Sequence, residues 1–362
     1  MNRKKIIELF FRRGKLLSED TLSMLEKENE DSMPGILDRD YHELLLTPRH
    51  FQTENVSILK NLTSKPNLGR EQQLGFYTSK YEKMRAILTQ RLQKNFMSIN
   101  KLGADRAEVF VIGIVKEKRE EENKNIIDIE DVTGNIPVIF QGPVDCELDD
   151  VVAIQAISGG RVLFGKKILY PDIPLRNPST GFGKACFISD VHLDEVPKKF
   201  PDRFFNWLEM EGVSFLFVAG DIGDTTVFQT LCGNKKTIVI PGNADTEEKY
   251  PYLPMGFDGK NIISLSNPAM IYLNGLKILI IHEFDMSMLK KRYLGKSEVI
   301  LPEDYLVLDE VPDIVHYGHT HKPFVSNYKS TTLVNSGSTL TKFMPVVIDF
   351  STREWKQAEL DI

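Results

Sequence analysis

The sequence predicts a multidomain chain: a small helical unit, then a five-stranded closed β-barrel, then a layered α/β domain. Three observations carry this. Apolar residues near the N-terminus recur at helical spacing between capping signals, and five strand-like runs crowd into about sixty residues beyond residue 104. Past residue 175, short buried runs each stop at glycine or a polar residue. A length of 362 residues is too great for one ordinary core and agrees with such a division.

Residues 1–46 form the predicted helical unit. Ile6, Ile7, Leu9, Phe10 and Phe11 alternate with Arg3, Lys4, Lys5, Arg12, Arg13 and Lys15, which spells an amphipathic helix ending at Gly14. Ser18 is placed to cap a second helix, with Glu19 and Asp20 in its first turn and Leu22 and Leu25 facing inward. Residues 47–103 read as a linker with short strand-like pieces, punctuated by Pro48, Pro66, Gly69 and Gly75, followed by a connecting helix. Tyr81, Met84, Leu88 and Leu92 carry the period of that helix.

Residues 104–174 hold apolar runs at 109–115, 126–129, 136–140, 151–157 and 162–169, turned at Thr133-Gly134-Asn135 and Ser158-Gly159-Gly160. The most economical closed barrel of five such strands is an OB-fold. Charged residues 116–124 read as a solvated hairpin loop. Phe110, Phe140 and Phe164 suit core positions, so the barrel is expected to meet protein rather than single-stranded nucleic acid. Pro171, Pro174 and Pro178 stiffen the exit, because each forces its preceding residue away from the helical region. The α/β domain, 175–362, carries runs at 185–189, 215–219, 237–240, 276–281, 314–317 and 332–334, a helix marked by Phe204, Trp207, Leu208 and Met210, and a closing hairpin through Val346 and Trp355.

Composition narrows the function classes. With 41% hydrophobic and 27% charged residues the chain is globular rather than disordered. A formal charge of −6 removes the general electrostatic case for nucleic-acid binding, leaving only a local site. Cys146, Cys186 and Cys232 are odd in number and far apart, which argues against disulfides or a thiolate zinc knot and points to a reducing cytoplasm. No apolar run approaches a membrane span, and the N-terminus does not read as a signal peptide.

What stands at the ends of the α/β runs carries the chemistry. Asp190-Val191-His192 follows the first, Gly220-Asp221-Ile222-Gly223-Asp224 the second and Gly242-Asn243-Ala244-Asp245 the third. His282 follows the fourth, and Gly318-His319-Thr320-His321 the fifth. In layered α/β sheets, ligands collect at the carboxyl ends of strands. One such histidine is ordinarily structural, but five strand ends finishing in metal-competent side chains predict a site built from Asp190, His192, Asp221, Asn243, His282, His319 and His321. Mixed imidazole and carboxylate donors suit two divalent ions of manganese, iron or zinc, with manganese favoured. Asp221 is the natural bridge, and a water between two such ions becomes the nucleophile for attack on phosphorus. Gly220, Gly242 and Gly318 are expected to allow sharp turns and leave room for a phosphate.

This set resembles the calcineurin-like metallophosphoesterases, whose motifs are DxH, GDxxD, GNH followed by an acid, an isolated His, and GHxH. The resemblance implies one metal on Asp190, His192, Asp221 and His321, and a second on Asp221, Asn243, His282 and His319. It also implies catalytic work for Asp221, Asn243 and His282, with Asp224 orienting a ligand by a hydrogen bond. An OB-fold directly before such a domain further resembles the small subunits of archaeal D-family DNA polymerases. That likeness implies a 3′–5′ proofreading exonuclease acting on a DNA 3′ end, a large catalytic polymerase subunit as partner, no membrane, and a cytoplasmic location. An inactive metal-binding scaffold within the polymerase is the alternative.

Two departures stand out. Ala244 replaces the motif histidine, and a methyl group cannot donate a proton, a loss worth about 10²–10⁴-fold. Asp245, whose relative orients that histidine, is then expected to lack a partner. Glu283 stands where the fourth motif has glycine and adds a negative charge beside the site. His316 is expected in the core, and His42 and His50 have no evident partners.

Overall fold

The computed structural model describes residues 2–27, 33–37, 41, 44–47, 56–66, 69–121 and 124–360. His42, His50 and Pro48 lie outside the described residues. No helix among the described residues is long and apolar enough to cross a membrane.

Helix α1 (Arg3–Phe11) begins where the Asn2 side chain accepts the Lys4 N–H, buries Ile6 and Phe10, and runs out into Gly14 at φ +69°. After β1 (Leu16–Leu17), Ser18 caps α2 (Glu19–Leu25) as its position predicts, accepting the Thr21 N–H. With α3 (Met33–Leu37) and β2 (Leu45–Leu46), which pairs in parallel with β1, these helices enclose a small core of Ile6, Phe10, Leu22, Leu25, Met33, Ile36 and Leu46.

The strand-like pieces of the linker include β3 (Val56–Lys60), which pairs antiparallel with a strand more than 200 residues later in the chain, β13 (Ala269–Leu273). Lys60 fixes it there by donating to the carbonyls of Tyr305 and Val307 at 2.8 and 2.9 Å. Helix α4 (Arg70–Leu92) starts earlier than its apolar period suggested and wedges Tyr81, Met84 and Leu88 against Ile112, Val151, Ala153 and Val307. A short 3₁₀ turn, Ile99–Lys101, leads into the barrel.

The barrel closes in the order β4-β5-β6-β8-β7 from β4 (Glu108–Glu121), β5 (Lys124–Asp131), β6 (Gly134–Gln141), β7 (Val151–Ser158) and β8 (Leu163–Leu169). Alternate residues such as Ile127, Ile129, Ile136 and Val138 fill it, as period-two patterning requires. Of the charged stretch expected as a loop, residues 116–121 and Lys124 are instead strand. β4 continues past a bulge between Val115 and Glu117 and stays paired with β5 to Glu121 opposite Lys124. Opposite charges meet across the ladder, Glu121 directly opposite Lys124 and Arg119 reaching diagonally to donate to Asp128 at 2.7 Å. Phe140 is buried, whereas Phe164 is 46% exposed.

The α/β domain is a sandwich of two six-stranded sheets. The first has the order β12-β11-β10-β9-β18-β19, from β9 (Lys184–Ile188), β10 (Phe215–Ala219), β11 (Lys236–Ile240), β12 (Ile262–Ser264) and the closing hairpin β18 (Val346–Asp349) and β19 (Trp355–Gln357). The second has the order β16-β17-β15-β14-β13-β3, from β14 (Leu276–Ile280), β15 (Ile314–His316), β16 (Phe324–Tyr328) and β17 (Thr331–Asn335) with the two strands already placed. Phe187, Phe217 and Ile238 of one sheet meet Ile271, Ile278 and Ile314 of the other between them. Outside the first sheet lie α5 (Phe200–Met210) and α6 (Thr225–Cys232), covering Ile188, Leu216 and Val218. The segment containing α7 (Ser287–Lys291) covers Leu279, Val315 and Leu333 of the second. Central strands buried on both faces explain the unbroken apolar runs in the sequence.

Candidate metal centre

Each parallel strand carries its polar residues just past its carboxyl end. Asp190 and His192 follow β9, Asp221 follows β10, Asn243 follows β11, His282 follows β14, and His319 and His321 follow β15. Asp190, His192, Asp221 and His321 each offer an atom within 4.8 Å of the other three. His321 Nε2 lies 3.4 Å from Asp190 Oδ1. His192 Nε2 is buried without a hydrogen-bond partner, and such an orphan costs about 1–3 kcal/mol unless a ligand takes its lone pair.

A second group shares Asp221. His282 Nδ1 lies 2.7 Å from the Ala219 carbonyl, which can only accept, so Nδ1 carries the hydrogen. The Nε2 lone pair therefore faces Asn243 Oδ1 at 3.0 Å and Asp221 Oδ2 at 3.3 Å. His319 Nδ1 approaches the same Asn243 oxygen at 3.0 Å. So many electron-rich atoms at contact distance call for a proton or a divalent cation among them, and the oxygen and imidazole donor set fits the latter. Buried fixation of the distal ring nitrogen by a carbonyl is a common way of orienting a ligating histidine.

The charges follow from this packing. Burial raises the Asp190 carboxyl above its usual range, against the opposing influence of His282 and a Ser189 hydrogen bond. Burial also pushes Asp221 upward, but the hydrogen bond and charge of His282, the Ala244 N–H and His192 outweigh it, leaving Asp221 below its usual value. His282 is penalised by burial and yet held above its ordinary value by Asp221.

The backbone is strained where the candidate ligands sit. Asp190, His192, Asp221, His319 and His321 have φ of +52°, +38°, +52°, +65° and +56°. Left-handed conformations cost non-glycine residues about 1–2 kcal/mol each and persist where surrounding bonds enforce them. Here Asp190 N donates to Gly220 O and His192 N to Asp221 O, while the Asp190 carbonyl accepts from Ser338 and Thr339. The His319 N–H in turn donates to both Asp190 carboxylate oxygens, at 3.0 and 3.1 Å.

Several expectations change in detail. The glycines leave room for neighbouring motifs: a Cβ on Gly220 would stand 2.5 Å from Gly242 Cα, one on Gly242 2.1 Å from Asp221 Oδ1, and one on Gly318 2.5 Å from Asp190 Oδ2. At each of these glycines the place of a Cβ is thus taken by a neighbouring motif. Asp245 is not without a partner. Its carboxylate accepts from Ile222 N and Gly242 N, both at 2.8 Å, and staples the second motif to the third. Asp224 caps α6, its Oδ1 accepting from both Thr226 N and Val227 N. His316 is in the core as expected, edge-on to Phe187, with burial pushing it down to about 3.

Ala244 and Glu283 are exposed. A cleft of about 260 Å³ opens beside the second group, lined in part by Asn243, Tyr252, Asn267, His282 and Glu283. Sequence reading missed Asn267, which accepts from His282 N at 3.3 Å and donates to the Pro241 carbonyl at 2.9 Å, joining the third and fourth motifs. It also missed Asn335, whose amide donates to the Gly318 carbonyl. Neither belongs to a recognisable motif, so no local signal marks them.

Residues 184–351 match the calcineurin-like phosphoesterase superfamily domain. This part of the chain is a calcineurin-like phosphoesterase domain, with the barrel and helical unit placed before it. Over most of its length the chain is a relative of DNA polymerase II small subunits. It is 28% identical to that of Archaeoglobus fulgidus over 78% of this chain and 74% of the relative, and 27% identical to that of Methanothermobacter thermautotrophicus over 73% and 72%. With that of Thermoplasma acidophilum it shares 26% identity over 93% of this chain and 86% of the relative.

Proposed function

We propose that this chain is the small subunit of a D-family DNA polymerase, binding the large catalytic subunit, and that its phosphoesterase domain is a two-metal 3′–5′ exonuclease acting on DNA 3′ ends in the cytoplasm. The observation that carries this reading is the sharing of Asp221 by two donor groups at adjoining strand ends, in a chain related to polymerase small subunits. Asp190, His192, Asp221 and His321 would hold one cation, and Asp221, Asn243, His282 and His319 the other, with manganese favoured over iron and zinc. Bound there, divalent cations neutralise phosphoryl charge and acidify water.

The chain's own residues do the rest. The Ala219 carbonyl keeps the His282 proton on Nδ1 and its lone pair toward the site. The His319 backbone N–H holds Asp190 in place, and the near-complete burial of Asp190 and His282 keeps bulk water from both. Ala244 offers no proton at the position where the motif has histidine. Purified protein with manganese, alone and with its large subunit, is expected to remove mismatched 3′ ends; binding two metals while leaving such ends intact would refute the nuclease reading.

Ala244 favours a second reading, a metal-binding scaffold whose chemistry has faded. Ala244→His separates the two: a gain in cleavage approaching about 10²-fold is expected of a competent site lacking only its acid, whereas no gain favours the scaffold.

A further inference from the structure

A second cavity, of about 480 Å³, lies beside the metal centre where α4, the barrel and the phosphoesterase domain meet. Phe76, Tyr77 and Lys80 of α4, Leu148 and Asp149 of the barrel, and Tyr293 line it in part. Met288, Gly295, Lys296 and Glu298 wall both this cavity and the cleft at Asn243 and His282, so the two adjoin across a shared wall.

Lys80 is the unexplained group. It is only 8% exposed, its ammonium lies 3.8 Å above the Tyr293 ring, and among the described residues it has no ion-pair or hydrogen-bond partner. The nearby Asp304 carboxylate is engaged by the Tyr293 hydroxyl and the Leu306 N–H instead. Burial holds the Lys80 ammonium below the usual lysine range, against the pull of Asp304, Asp149 and Asp150. A largely buried cation with no direct ion-pair or hydrogen-bond partner among the described residues is prepared for an anion, because part of the desolvation cost has been met by folding. Of the carboxylates lining the cavity, Glu147 and Asp150 are paired with Lys291 at 2.5 and 3.1 Å. Asp149 and Glu298 are exposed, where solvent screens them. Tyr77, 56% exposed, offers an aromatic ring to the same space, and the cavity falls in the range that encloses a small ligand.

We propose that this cavity is a nucleotide pocket, holding the nucleotide retained on the strand next to the scissile phosphodiester. Its base stacks on Tyr77, its 5′-phosphate meets Lys80, and its 3′-oxygen points along the shared wall toward Asn243 and His282. The direction of the strand rests on the phosphodiesterase reading above; the affinity for base and phosphate does not.

The test uses the full-length chain in EDTA, so that metal chemistry is silent, with thymidine 5′-monophosphate, thymidine and a thymidine pentanucleotide as probes in calorimetry. The monophosphate is expected to bind at least about tenfold tighter than thymidine. Lys80→Met is expected to erase that difference, and Tyr77→Ala to weaken both probes by about tenfold. Tyr77 is exposed, so its variant keeps the test valid should Lys80→Met fail to fold. The pentanucleotide is expected to bind at least as tightly as the monophosphate. No monophosphate binding at millimolar concentration, or unchanged binding in both variants, overturns the pocket; a pentanucleotide much weaker than the monophosphate overturns its assignment to a strand. A chain that binds the monophosphate yet leaves mismatched ends intact with manganese keeps the pocket and loses the nuclease reading. One that cleaves such ends but binds no nucleotide does the reverse.

Discussion

Asp245→Ala is expected to loosen the candidate metal centre without touching a candidate ligand. The Asp245 carboxylate accepts from Ile222 N and Gly242 N at 2.8 Å, and these donors sit beside Asp221 and Asn243 in the two loops that must meet. Hydrogen bonds to a charged group contribute about 1.5–3 kcal/mol each, so two give about 3–6 kcal/mol. Asp245 is half-buried, and water reaching the vacated space replaces part of this, leaving an expected loss of about 2–4 kcal/mol. Asp245→Asn keeps the shape but puts an amide donor opposite one of the N–H groups, so it should lose most of the same energy. Both tryptophans, Trp207 and Trp355, lie in the phosphoesterase domain. Their fluorescence in urea therefore reads that domain alone, and the midpoint should fall in both variants with little change in slope. An Asn variant with the wild-type midpoint would show that side-chain shape, not acceptor chemistry, joins the loops, and would refute the reasoning.

Three further outcomes follow from the same geometry. Asp221→Asn removes the carboxylate common to both donor groups, so the rise in thermal midpoint on adding manganese should largely vanish; an undiminished rise in a melting scan would contradict the shared ligand. Gly220→Ala places a methyl 2.5 Å from Gly242 Cα and 2.6 Å from His282 Nδ1 at φ +80°, and should lower stability by at least about 3 kcal/mol, read from the same urea curves. His316 is pushed by burial to about 3 in the folded chain, against about 6.5 unfolded. Below pH 6.5 the unfolded chain takes up a proton that the folded chain refuses, so stability is lost as pH falls toward 3. His316→Leu should flatten that fall between pH 7 and pH 4.5, and an equally steep decline would place the acid sensitivity elsewhere.

Much of this was legible before any coordinates. The order of helices, barrel and sandwich follows from hydrophobic period, which is local: Ser18 caps its helix, the Ile127 and Ile129 alternation fills the barrel, and the Phe215–Ala219 run is a central strand. The candidate donors were equally plain, because Asp190, His192, Asp221, Asn243, His282, His319 and His321 stand where strands stop. The charged residues 116–121 misled because charge marks exposure, and the end of β4 is largely exposed while still paired with β5.

By itself, the sequence determined which segments fold together and which chemistry their ends carry. The tertiary structure alone decided which atom faces which. The proton on His282 Nδ1 depends on the Ala219 carbonyl, Asp245 acts through loops some twenty residues apart, and β3 completes a sheet formed mostly by the far end of the chain. Lys80 is largely buried, with no ion-pair partner among the described residues, because a helix, a barrel and a sandwich close around it. Period and motif are properties of neighbours in sequence, whereas tautomer, strain and cavity are set by contacts between residues far apart in sequence, and those exist only once the chain has packed.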